Sequence, residues 1–215
     1  IWRMPMMHTH LVKRIGQRFT AEPTPAYLKT AARLLAPAPT NADRDQLVIG
    51  MEESLRGNAV QNPPEALLNE IVRLWQDRPH TPTLISFATR LGLPEAMDEA
   101  IALVKNPKTS ASKRRALTKL LSERRSDNAL ELLLGQFKTE KNSSRRIELM
   151  TALQRFDDNS VGTALLARYA GMPQRERESA QNILSSRANW SLEFITALDA
   201  GTIKREHVRP PTLLP

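Results

Sequence analysis

The stretch ALTKLLSERRSDNALELLL, Ala116 to Leu134, reads as a helix, a short polar break and a second helix. Leu117, Leu120 and Leu121 lie three and four residues apart, and so do Leu130, Leu133, Leu134 and Phe137, which puts each set on one helical face. ELMTALQRFDDNSVGTALL, Glu148 to Leu166, repeats the pattern, and Gln181 to Leu198 repeats it again with Arg187-Ala188-Asn189 as the break. Leu121, Leu153 and Leu184 hold matching places, 32 and 31 residues apart. A hairpin of this length cannot cover its own apolar face. Recurrence at a fixed period therefore predicts hairpins that stack on their neighbours in series.

Working outward, looser pairs precede these three: Pro5 to Thr20 with Pro25 to Ala36, Ala42 to Gly57 with Pro64 to Gln76, and Pro82 to Leu91 with Glu95 to Val104. The chain thus reads as an all-α domain over residues 1–208, a HEAT-like α-α superhelix (solenoid) of about six helical hairpins. The Pro-rich terminal segment 209–215 is expected to lead into a further domain, both ends being expected to continue in a larger polypeptide. Composition agrees: aromatics are 5%, while Ala and Leu recur throughout, which favours helices over sheet. Asn62, Thr81, Asp127, Asn159 and Asn189 are candidate helix N-caps, with Glu65 placed to complete a capping box behind Asn62. Gly16, Gly50, Gly135 and Gly162 fall inside helices, where each costs about 1 kcal/mol relative to alanine unless close packing compensates, so they are expected to be packing points.

Cysteine is absent, which excludes disulfides, thiolate zinc, cysteine nucleophiles and CxxCH haem attachment within this segment. No apolar run reaches the roughly 18 residues of a transmembrane helix, so membrane insertion by this segment is not expected. His8 and His10 are two apart and point to different helical faces, and His80 and His207 stand alone as expected surface histidines. The carboxylate neighbours Asp43 and Asp45, Glu52 and Glu53, and Asp157 and Asp158 are expected at helix starts or on polar faces. Walker A, GxGxxG, GxSxG and HExxH motifs are all missing. No catalytic residue, cofactor or metal is assigned. Asn142-Ser143-Ser144 and Asn189-Trp190-Ser191 match the glycosylation triplet but are expected to cap helices, and Trp190 is expected to anchor its hairpin on the preceding one.

Partner information resides in charge. The net charge is +8, and Lys105 to Arg146 holds twelve basic residues against Glu123, Asp127, Glu131 and Glu140, which accounts for all of it. Arg115, Lys119, Arg124, Arg125, Arg145 and Arg146 form the candidate basic interaction surface. If they align they make a positive ridge suited to anionic lipid, an acidic protein surface or a nucleic-acid backbone.

The run LSSRANWSLEFITALDAGTIKREHV, Leu184 to Val208, resembles the end of the helical-repeat region in large membrane-bound dehydrogenases of planctomycetes. Ile1-Trp2-Arg3 and the Thr24-Pro25-Ala26 to Leu34-Leu35 stretch are similar to its start. Those proteins place a β-propeller before the repeats and a c-type cytochrome domain with CxxCH after them. The resemblance implies a spacer or docking module between propeller and haem domain, in the periplasm or cell envelope. The chain is accordingly expected to be a non-catalytic scaffold that contacts neighbouring domains of the parent chain or a protein partner, and it is expected to be a monomer. The alternative is a nucleic-acid-binding HEAT-like protein related to DNA glycosylases with alkylation-repair repeats.

Overall fold

The computed structural model describes residues 11–208, and no strand occurs among them. Twelve α-helices follow one another among the described residues, at the places the apolar spacing predicts: α1 (Val12–Ala21), α2 (Pro25–Leu35), α3 (Asn41–Ser54), α4 (Glu65–Asp77), α5 (Pro82–Leu91), α6 (Pro94–Lys105), α7 (Ala111–Arg124), α8 (Asp127–Thr139), α9 (Ser143–Leu153), α10 (Asn159–Tyr169), α11 (Gln174–Leu184) and α12 (Ala188–Asp199). A 3-10 turn, Arg205–His207, follows. The expectations on residues 5–10, on the His8 and His10 pair, on Ile1-Trp2-Arg3 and on 209–215 lie outside the described residues.

The chain divides into two compact units, Ile1–Arg124 and Arg125–Pro215. In the first, α1 packs on α2 and α3, α2 on α4, α3 on α5, and α5 on α6 and α7. In the second, α8 packs on α9 and α10, α9 on α11, and α10 on α11 and α12. Within each unit these helices meet the next element in sequence or the next but one. The expected apolar faces fill these interfaces: Leu117, Leu120 and Leu121 of α7 are buried in the first unit, and Leu133, Phe137, Leu149, Leu153, Leu165 and Leu184 in the second. Each such side chain contributes roughly 1.5–3 kcal/mol on leaving water.

Glycine decides the tightest approach. A Cβ on Gly16 of α1 would stand 2.5 Å from the Leu47 carbonyl oxygen, and one on Gly50 of α3 would stand 2.0 Å from the Lys13 carbonyl oxygen. Backbone therefore meets backbone, and the Thr20 hydroxyl reaches the Met51 carbonyl at 3.2 Å. Gly162 is a packing point too, facing the Trp190 ring, whereas Gly135 has nothing within 4 Å of its would-be Cβ, contrary to expectation.

Caps fall close to the expected places. Thr81 accepts from the Leu84 N–H as expected, and Asn142 accepts from that of Arg145. Ser126 and Asp158 cap α8 and α10 from one residue before the expected Asp127 and Asn159, because they hold the extended backbone that an N-cap needs. Asn62 does not cap α4: Pro64 is extended and the helix starts only at Glu65. Asn189 lies inside α12 and donates to Asn159.

Candidate functional site

The basic residues singled out from sequence are divided between the units, and several are committed to internal contacts. Arg124, at the end of α7, donates from Nη1 to the Val60 carbonyl at 2.9 Å and lies over Gly92, where an added Cβ would meet its guanidinium at 2.3 Å. Arg145 pairs with Glu148 at 2.9 Å. Arg146 forks onto both carboxylate oxygens of Glu176 and donates to the Lys141 carbonyl at 2.8 Å. Arg125 is exposed and takes a left-handed φ of 58° just past α7. Arg115 and Lys119 are exposed one turn apart on α7.

Arginine has a recurring task here. Arg90 donates to the Asn58 carbonyl at 3.0 Å, Arg168 to the Phe137 and Lys138 carbonyls at 2.8 and 2.7 Å, and Arg187 to the Gln154 carbonyl at 2.7 Å. Most of these acceptors are carbonyls at or just beyond helix C-termini, which have no partner within their own helix. Five donors in a planar fork suit arginine to satisfying them across a packing interface.

One of these links floors a groove within the first unit, formed by α3, α5, α7 and the turn after α3, with a volume of about 340 Å³. Arg90 lies between two carboxylates: its Nε is 3.6 Å from Glu52, and Nη1 bonds Glu123. All three are buried, at 6%, 7% and 5% exposure. Arg56 adds a bond from Nε to Glu52 at 3.2 Å. The floor is not fully satisfied, since Arg90 Nε and Glu123 Oε1 have no hydrogen-bond partner. Above it stand Lys119 from α7 and the Thr83 and Ser86 hydroxyls from α5. Sequence reasoning placed Glu52 on a polar face and did not single out Arg90 or Glu123. Arg56, Arg90 and Arg124 recur at intervals of 34 residues, and that spacing was the available signal.

Elsewhere, titratable groups are tied into the framework. Burial pushes the Glu176 carboxyl upward, but hydrogen bonds from Arg146 and Ser143, with the charges of Arg146 and Arg168, outweigh it and hold the group below the ordinary carboxylate range. The Ser160 side-chain and backbone donors likewise lower Asp158. His80 is half-buried rather than a surface histidine: its ring stacks on Trp75 with centroids 3.6 Å apart, and its nitrogens meet the Glu99 carboxylate at 2.5 Å and the Trp75 carbonyl at 2.9 Å. Trp190 is buried as expected, donates to the Asp158 carbonyl at 3.2 Å and carries Arg187 4.5 Å above its ring.

Among the described residues no helix is long and apolar enough to cross a membrane, and no group of three or more His, Asp or Glu side chains converges as a metal site. No family model, curated protein or solved structure matches this chain. The fold is all-α, and the groove on α3, α5 and α7 is its candidate site.

Proposed function

We propose that this chain is a non-catalytic interaction module, a HEAT-like α-α superhelix that holds neighbouring domains or a protein partner. The observation that carries the reading is the serial contact pattern within each unit, helix to next or next but one, reinforced by arginines that reach carbonyls of the preceding repeat. Such an array exposes long helical faces without needing a central core, which is how repeat proteins recognise partners. The resemblance of Leu184 to Val208 supports placing it in a dehydrogenase with a β-propeller and a c-type haem domain, in the cell envelope.

Three experiments test this. A compact globule of this length has a radius of gyration of about 17 Å, and a superhelix should scatter with a clearly larger one; a value at the compact figure would remove the superhelix. The coding sequence on either side tests the parent: a downstream CxxCH is expected, and its absence would break the dehydrogenase assignment. Duplex DNA should show no salt-sensitive binding in an anisotropy titration, whereas steep salt dependence would favour a nucleic-acid binder.

A further inference from the structure

We propose that the groove on α3, α5 and α7 takes an acidic side chain, glutamate or aspartate, from a peptide segment of the partner protein. This rests on the interaction-module reading and names the chemistry by which such a module would recognise its partner.

Charge comes first. The groove combines three cations, Arg56, Arg90 and Lys119, with two carboxylates, Glu52 and Glu123. Both carboxylates lie at the buried floor and are engaged by Arg90, so what an approaching group meets is the rim. There the Arg56 side chain is 66% exposed and binds Glu52 only through Nε, and Lys119 is exposed without an ion pair. Thr83 and Ser86 add two half-buried hydroxyls on the α5 wall. These are hydrogen-bond donors arranged around one opening, and a carboxylate accepts from several at once.

The second observation is the unsatisfied floor. Arg90 is nine-tenths buried and its Nε–H lacks an acceptor, while Glu123, equally buried, has Oε1 without a donor. Buried charged groups with unmade hydrogen bonds are costly. Both atoms are closed off from solvent, so an incoming group first meets the Arg56, Lys119, Thr83 and Ser86 donors at the rim and reaches the floor only when Arg90 and Glu123 move apart. A peptide then supplies an acceptor through a side-chain carboxylate and a donor through a backbone N–H, whereas a fully ionised small dicarboxylate offers acceptors only. A volume of about 340 Å³ sits at the lower end of ligand pockets, suited to one or two residues and too small for a dinucleotide.

The test uses the full chain labelled with ¹⁵N and followed by amide chemical shifts. It is titrated with a capped Gly-Glu-Glu-Gly peptide, the matching Gly-Lys-Lys-Gly peptide, and succinate. Expected are saturable shifts of the Gly57, Thr83 and Ser86 amides with the glutamate peptide, none with the lysine peptide, and at least tenfold weaker binding of succinate. Lys119→Met should weaken the glutamate peptide at least fivefold with an otherwise unchanged spectrum, while Lys105→Met, at the exposed end of α6, should leave it unaltered. The proposal is overturned by absence of saturable groove shifts, by equal binding of the lysine peptide or succinate, or by indifference to Lys119→Met. Failed binding with an extended scattering profile would remove the groove and spare the module; a compact profile would remove the module whatever the peptide does.

Discussion

Gly16 and Gly135 both sit inside helices, yet their surroundings give opposite expectations. Gly135→Ala adds a methyl group into open space and removes a helix penalty, so it should raise stability by about 1 kcal/mol in urea denaturation. Gly16→Ala drives the same methyl into a backbone carbonyl of α3 and should cost about 1–3 kcal/mol. Acid titration separates another residue. Glu176 has a folded-state pKa below its unfolded one, so its stabilisation is present above the unfolded value and is lost as pH falls through the folded one. Denaturation midpoints should therefore drop below about pH 4–5, and Glu176→Gln should flatten that dependence while costing about 3 kcal/mol at neutral pH by leaving Arg146 buried without its partner. Sequence alone marked Arg124 and Arg146 as basic but could not assign their direction, because a guanidinium serves a solvated face and a neighbour's carbonyls with the same composition. The 34-residue recurrence of Arg56, Arg90 and Arg124 carried that information and is legible only once helix ends are known.

At the scale of elements, the helices themselves were readable because apolar spacing of three and four is a direct consequence of helical geometry. Starts were legible to within a residue or so where two good capping residues adjoin, as at Ser126-Asp127 and Asp158-Asn159; the backbone conformation selects between them. Asn62 failed for a different reason, two prolines holding the chain extended past its reach. Trp190 was recognisable as an anchor from its place at the start of α12, but its partners come from the preceding repeat: Gly162 beneath the ring and the Asp158 carbonyl on its N–H. Trp190→Ala should cost about 3–5 kcal/mol and loosen α12 against α10, measurable as a lowered denaturation midpoint with faster exchange of α12 amides. The groove was the least legible feature, since α3, α5 and α7 contribute to it from positions about 70 residues apart at the extremes.

For the whole molecule, the period of 31 and 32 residues announced the alternation of helices and breaks, whereas nothing in that period marks the division into compact units between Arg124 and Arg125. The break falls inside a stretch that reads as an ordinary hairpin turn, at a residue with left-handed φ. The central claim is that helices are stabilised by their neighbours in series instead of by one shared core. Native-state hydrogen exchange on Ile183→Ala tests it most directly, because Ile183 is buried in α11, which contacts α9, α10 and α12. Loss of about 2 kcal/mol there should speed exchange roughly thirtyfold in α9 to α12 and leave α1 to α5 within twofold of the parent chain; equal acceleration from α1 through α12 would contradict serial stacking.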